Sequence, residues 1–367
     1  MSEPRDLRVA VIGTGYFSRF HLQGWQQVTG AHVVALCDRD GTLARQVAAE
    51  FQIDTTATDV DSLLTQTEID LFDVIVPPAA QKEVLDALLP LGKPIICQKP
   101  FGRDYADAVY FSDTAQSYGT PLIVHENFRF MPWFREARRL VASGALGMVH
   151  SISFRLRPGD GQGNDAYLAR QPYFQTMPRL LVVETAIHLI DTFRMICGEV
   201  TTVCAQLRKL NPVIAGEDAG IIVFEFASGA AGVFDGNRLN DHVATNPRTT
   251  LGEMWLEGSG GVLRLDGDAR LWFKPHQQPE HQHSYPRGNE ADFGGGACGA
   301  LQQHVIDALR NHQTPDNTAA AYLANLRIQE AVYRSHATKQ RVSLTGFDPL
   351  ASYDSTVTPK VINKEMS

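Results

Sequence analysis

Within its first twenty residues the chain commits to a parallel α/β plan. The apolar run Leu7–Ile12 leads straight into Gly13-Thr14-Gly15-Tyr16-Phe17-Ser18, and a helical stretch, Phe17–Val28, follows. A strand that turns on glycines into a helix must be completed by a crossover to a parallel neighbour, not by a hairpin. The following residues keep to that plan. Strands are expected at His32–Cys37, Leu71–Val76, Pro94–Cys97 and Leu122–His125, and helices at Leu43–Phe51, Lys82–Leu89 and Tyr105–Tyr118. The strand runs are continuously apolar, as in sheets covered on both faces.

After Asn127 the pattern changes. A helix at Pro132–Ser143 precedes the alternating strand Val149–Leu156, and a Gly/Pro-containing loop spans Pro158–Pro178. A helix at Val182–Ile196 comes next, then strands at Val200–Leu207, Ala219–Phe226, Ala230–Gly236, Thr249–Glu257 and Gly261–Leu265. Gly258-Ser259-Gly260-Gly261 suits a hairpin between the last two. Lys274–Gly296, rich in Pro, His, Gln and Gly, reads as a surface loop, and helices are expected at Ala300–Asn311 and Ala319–Thr338. The expected fold class is therefore α/β: a parallel-sheet domain over 1–126, and an α+β domain with a large, mostly antiparallel open sheet over 127–350. Residues 351–367 are expected to form a tail.

The glycine turn has a mechanical use. Its first glycine permits the tight turn, its second lets a pyrophosphate approach the backbone, and the helix N-terminus supplies N–H groups and positive dipole. Ser18 stands where a third glycine would ease helix packing. The next strand ends at Asp38, placed to hold both adenine-ribose hydroxyls, which favours NAD. Arg39 beside it suits a 2′-phosphate, so NADP stays an alternative. Gly13, Gly15, Tyr16, Phe17, Asp38 and Arg39 are the cofactor candidates here. Pro77 and Pro78, at the end of another buried strand, are expected against the same crevice, with Gln98 and Asn127 completing the set.

Lys99 follows an apolar strand and should emerge at the carboxyl edge of the sheet, where its ammonium can stabilise developing alkoxide character. Glu184 and His188 are spaced i, i+4 on one helix face, with Asp191 on the same stripe. A carboxylate beside an imidazole orients the ring and raises its basicity, which makes a general base for a hydroxyl proton. Asp191 reads as a structural hydrogen-bonder. Arg129, Arg157, Tyr167 and Tyr173 are further candidates for substrate contacts, beside Lys99, Glu184 and His188. His276, His281 and His283 lack companion ligands, and no metal is expected.

These motifs, in order and spacing over residues 7–345, resemble the glucose–fructose oxidoreductase / inositol dehydrogenase / rhizopine-catabolism family. The likeness rests on the glycine loop with His21 three residues beyond it, Asp38, Gly92-Lys93 ahead of Gln98-Lys99-Pro100, and Asn127-Phe128-Arg129-Phe130 with Pro132. It continues through Gly144–Gly147, Glu184–His188–Asp191, Glu217-Asp218 and the final helix up to Ser335. The resemblance implies an N-terminal Rossmann domain and a C-terminal domain whose open sheet serves as an oligomer interface, in a dimer or tetramer. It implies hydride exchange between NAD(P) and a sugar, cyclitol or related polyol, with Lys99 as the catalytic lysine, His188 as the base and Glu184 where the family usually has aspartate. The chain departs from the family pattern at Gln98, usually glutamate, and at Gln81, where histidine is frequent.

Other classes are narrowed by bulk properties. With 33 basic and 41 acidic residues the net charge is −8, which argues against nucleic acid or an anionic membrane as partner. The N-terminus lacks an apolar stretch of signal-peptide or membrane-spanning length, and five widely spaced cysteines read as reduced thiols, so a cytoplasmic location is expected. Two alternatives stand beside the polyol dehydrogenase: an NADPH-dependent keto-sugar or carbonyl reductase, and a non-catalytic dinucleotide-binding regulator on the same fold.

Overall fold

The computed structural model describes residues 5–289 and 291–352, so positions 353–367 of the expected tail lie outside the described residues. In chain order the elements are β1 (Leu7–Ile12), α1 (Ser18–Trp25), β2 (Ala31–Cys37), α2 (Gly41–Phe51), β3 (Thr55–Ala57), α3 (Val60–Gln66), β4 (Leu71–Val74), α4 (Pro78–Leu88), β5 (Ile95–Gln98), α5 (Tyr105–Tyr118) and β6 (Leu122–His125). There follow α6 (Pro132–Ala142), β7 (Val149–Leu156), a π-turn (Val182–Ala186), α7 (Ile187–Cys197), β8 (Val200–Arg208), β9 (Ala219–Phe226), β10 (Ala231–Asn237) and β11 (Gly252–Gly258). The chain closes with β12 (Gly261–Leu265), β13 (Leu271–Pro275), β14 (His281–His283), α8 (Ala297–Arg310), α9 (Ala319–Thr338) and β15 (Val342–Ser343).

Two compact units emerge. Among the described residues the first comprises 5–130 and 296–324, the second 131–289, 291–295 and 325–352. The sequence reading draws a single cut after residue 126, whereas the first unit takes back α8 and the start of α9. Packing of α8 on α1 is the reason. An added Cβ on Gly24 would sit 2.3 Å from Gln302 Oε1 and 2.8 Å from the Gly299 nitrogen, so only glycine allows the two helices to meet there. Gln302 Nε2 then donates to the His21 carbonyl at 3.1 Å. Beyond α8, the Asn317 carbonyl accepts from the Val124 N–H at the end of β6.

The first unit holds a six-stranded sheet in the order β3-β2-β1-β4-β5-β6, parallel throughout. Strand order reverses between β1 and β4, and it is at such a switch point, beyond the strand C-termini, that ligands bind. β1, β4, β5 and β6 bury apolar side chains on both faces. β3 and α3 have no counterpart in the sequence expectations.

The second unit holds a nine-stranded sheet in the order β14-β13-β12-β11-β7-β10-β9-β8-β15, antiparallel apart from the β7–β10 pair. One face is covered by helices: Phe134 of α6 meets Phe154 of β7, and Phe193 of α7 meets Phe224 of β9. On the other face one cross-strand row runs Cys204, Val223, Val233, Ser153, Trp255, Arg264, Trp272. The β11–β12 hairpin closes over Ser259-Gly260, with Gly258 opposite Gly261. The segment expected as a loop from Lys274 is corrected in part. It carries the end of β13 and all of β14, the edge strand, whose polar side chains are what an exposed sheet margin tolerates.

Candidate active site

In the first unit the glycine loop is built by two glycines with different tasks. Gly13 has φ +98°, and a Cβ there would come within 2.4 Å of the Ile75 carbonyl oxygen, so its backbone lies directly against the end of β4. Gly15 is exposed, and a Cβ on it would meet nothing within 4 Å. That clear space, at the mouth of α1, suits a pyrophosphate. Ser18 is fully buried and its hydroxyl donates to the Gly15 carbonyl at 2.7 Å, so serine fills the third-glycine position by bonding back to the loop.

Asp38, just past β2, braces the same loop. One carboxylate oxygen accepts the Thr14 N–H at 2.7 Å and the Thr14 hydroxyl at 2.9 Å, and the other accepts the Asp40 N–H at 2.9 Å. Arg39 and Tyr16 are exposed, and the Phe17 ring packs on Phe20 and on His21. Pro77 and Pro78 end the β4 segment and open α4, with Pro78 at the first helical position where its missing N–H costs nothing.

Lys99, half-buried, follows β5 at the carboxyl edge of the sheet. Gln98 Oε1 accepts its backbone N–H at 2.7 Å. Gln98 Nε2 lies 3.1 Å from His21 Nε2, and His21 Nδ1 lies 2.9 Å from Asp73 Oδ2, which also accepts the Trp25 indole N–H at 2.7 Å. The His125 ring stacks on His21, with centroids 3.8 Å apart. From α4, Gln81 bonds the carbonyls of Gln98 and Pro100, each at 2.9 Å, and accepts the Gly102 N–H at 2.7 Å. Asn127, buried, donates to Cys298 Sγ at 3.5 Å, and Arg129 pairs with Asp316 at 3.6 Å.

In the second unit the helix expected over 182–196 begins with the π-turn and becomes regular only at Ile187. π-Turns inside helices frequently mark functional positions. Glu184, His188 and Asp191 are all buried. Asp191 accepts from Asn325 Nδ2 at 2.7 Å, and Asn325 accepts from Arg194 at 2.6 Å, which fastens α7 to α9. Glu217 fastens the start of the π-turn by accepting the Val182 N–H at 3.1 Å and the Tyr333 hydroxyl at 2.6 Å. Burial pushes its carboxyl above the ordinary range despite those donors.

The long loop before the π-turn has a small core of its own, formed by Ala166, Tyr167, Phe174, Leu180 and Ile214. Tyr167 is buried in it. Its oxygen accepts from Arg238 Nε at 2.8 Å and lies 3.3 Å from Asp160, and burial pushes the phenol up to about 12. Arg157 is spent on Asp235, 2.6 Å away, and on the carbonyls of Leu156 and Asp235. Tyr173 differs: 51% exposed, its hydroxyl group accepts from Gln171 at 3.1 Å. Burial of part of its ring, then the negative charge of nearby Glu184, push its phenol up to about 12. Of Arg157, Tyr167 and Tyr173, only Tyr173 combines solvent access with proximity to Glu184.

Among the described residues no group of three or more His, Cys, Asp and Glu side chains is placed to hold a metal. His283 pairs with Glu136 at 2.5 Å, and His281 packs against Phe273. Sequence reasoning singled out His21 but missed Asp73 and its bonds to His21 and Trp25. A carboxylate inside the apolar run Leu71–Val76 was the available signal, since a buried charge requires donors.

Comparison with known proteins accords with this layout. Residues 7–126 match the model described as the oxidoreductase family, NAD-binding Rossmann fold, and residues 134–264 match the GFO/IDH/MocA C-terminal domain. A D-apiose dehydrogenase of Paraburkholderia graminis is 31% identical over 346 residues, covering 92% of this chain and 90% of that protein. One from Rhizobium rhizogenes is 28% identical over 349 residues, covering 92% and 98%. The crystal structure of an Agrobacterium radiobacter oxidoreductase in complex with NAD+, L-tartaric acid and magnesium superposes with a TM-score of 0.84 at 26% identity, covering 93% of this chain and 99% of that one.

Proposed function

Because the chain belongs to the GFO/IDH/MocA oxidoreductase family and its first unit is an NAD-binding Rossmann domain, we propose that it oxidises a secondary alcohol of a sugar, cyclitol or related polyol. The observation that carries this reading is the 31% identity to a D-apiose dehydrogenase along nearly the whole of both chains. Pentoses such as apiose are accordingly the first substrates to try. NAD, when bound, supplies the hydride acceptor.

The chain's own residues divide the remaining work among them. Lys99 Nζ donates to the reacting oxygen and offsets the charge that grows there. The imidazole of His188 takes the hydroxyl proton, with Glu184 supporting its positive form. Tyr173 binds a substrate hydroxyl. Gly13, Gly15 and the N-terminus of α1 hold the pyrophosphate, and Asp38 holds the adenine ribose. A carboxylate there repels a 2′-phosphate, so NAD is the preferred cofactor; Arg39 supports a weaker use of NADP.

The outer face of the second unit's sheet, with Ile221, Val223 and Trp255 all more than a third exposed, supports assembly through that sheet. No cysteine is in a disulfide, which supports a reducing, cytoplasmic setting. Among the described residues no helix is long and apolar enough to cross a membrane.

A panel of pentoses, inositols and sugar acids, assayed with NAD and with NADP for reduced-nicotinamide absorbance, tests this reading. We expect NAD-linked turnover on at least one polyol. No turnover on any of them, in either direction, would refute the dehydrogenase.

A further inference from the structure

We propose that Gln81 and Gln98 are positioning residues that preset Lys99 through uncharged hydrogen bonds, with Gln98 itself oriented by the His21–Asp73 pair. This rests on the reading of Lys99 as the catalytic lysine. Around that lysine the protein ties down successive backbone groups. Gln81, fully buried, holds the carbonyls of residues 98 and 100 and the N–H of Gly102. Gln98 holds the N–H of Lys99 itself. Position 100 is proline and has no N–H to satisfy. The backbone at Lys99 is thereby held from both sides by two carboxamides.

The direction of every bond in the relay follows from one fixed donor. Lys99 N–H can only donate, so the Gln98 atom 2.7 Å from it must be the oxygen. Gln98 then turns its NH2 toward His21 Nε2, which must accept. The single proton of a neutral imidazole therefore sits on Nδ1 and is donated to Asp73, whose carboxylate also receives the Trp25 N–H. The groups facing His21 are Asp73 from β4, Gln98 from β5, the stacked His125 ring from β6 and the edge of Phe17. One tautomer satisfies the whole chain of donors and acceptors. Neither glutamine titrates, so the bonds that the two carboxamides make to the backbone around Lys99 carry no charge of their own.

Histidine 15N spectroscopy and steady-state kinetics test this together. In the wild-type protein at pH 7.5, His21 should show Nδ1 protonated and Nε2 bare. Gln98→Glu, nearly the same shape, sets an acceptor oxygen against Nε2. One proton must then be shared between the new carboxyl and Nε2, and the Nε2 15N shift should move away from its wild-type value. Gln81→Ala should lower kcat about 100-fold, the cost of roughly 1 Å of misplacement, with NAD affinity within twofold of wild type. Gln81→Met, similar in length, gives the same reading if the alanine variant does not fold.

A His21 protonated on Nε2 in the wild type, or a spectrum unchanged by Gln98→Glu, would overturn the relay. So would a Gln81 variant with unchanged kcat, or one that loses NAD affinity in step with kcat. The spectroscopic arm needs no substrate. Absence of turnover on every polyol would defeat the dehydrogenase reading, while the tautomer of His21 would still decide the relay.

Discussion

Arg238 donates to the Thr185 hydroxyl at 2.6 Å, and Thr185 adjoins Glu184 within the π-turn. The rest of its guanidinium is committed to Tyr167 and to Asp160, at 2.8 and 2.7 Å, while its plane lies over the rings of Tyr167 and Phe174. A single buried cation thus fastens the long loop, its small core and the turn that carries the candidate carboxylate.

Arg238→Ala should destabilise the protein by about 3 kcal/mol, since it removes one partner of a buried pair, and urea unfolding measures this. Burial alone would raise the Asp160 carboxyl, but Arg238 and then Arg170 hold it below the ordinary range. Such a group contributes stability that is complete above its unfolded pKa of about 3.9 and is lost as pH falls through the lower folded value. The acid-unfolding midpoint of Arg238→Ala should therefore move to higher pH. A midpoint unchanged from wild type would mean that Asp160 draws nothing from the clamp.

Glu217 carries the opposite sign. Its folded pKa is raised by burial, so its contribution is greatest below the unfolded value of about 4.3 and declines as pH rises through the folded one. Tyr333 donates to the ionised form. Tyr333→Phe should thus cost about 1.5–3 kcal/mol at pH 8, as for a lost bond to a buried charged group, and less at pH 4.5. Equal losses at the two pH values would contradict this assignment.

The two loop glycines should separate folding from cofactor binding. Gly13→Ala forces a Cβ against the Ile75 carbonyl at a positive φ, and its melting temperature should fall. Gly15→Val meets no protein atom near its Cβ and should melt as wild type, yet weaken NAD at least tenfold by calorimetry.

His188→Ala should lower kcat by roughly 10²–10⁴, the usual worth of a positioned base, with the NAD dissociation constant unaltered. Turnover close to wild type would remove His188 from the role of base.

The sequence made the regular elements plain wherever hydrophobic period and punctuation agreed. β1, α5, β6, β7, β9 and β12 lie where the apolar runs ended. β3 was not visible because it is three residues long and two of them are threonine. β14 was hidden by a polar composition that belongs to its place at the sheet margin. The i, i+4 spacing of Glu184 and His188 read as regular helix, and nothing in those residue types announces the wider turn at 182–186. In the first unit, the glycine loop, Asp38 and Lys99 were legible as a local string. The brace around Lys99 was not, because Asp73 stands 52 residues from His21 and 48 from Trp25 in the chain. Such partners are joined by strand order, which no local pattern encodes.

The return of residues 296–324 to the first unit bears on how this protein can be dissected. A fragment cut at residue 126 would strip α8 from Gly24 and leave β6 without the Asn317 carbonyl at its end. An isolated nucleotide-binding half would need both stretches, either co-expressed as complementing pieces or rejoined with α8 ahead of residue 5, whose carbonyl already lies 3.2 Å from Arg310.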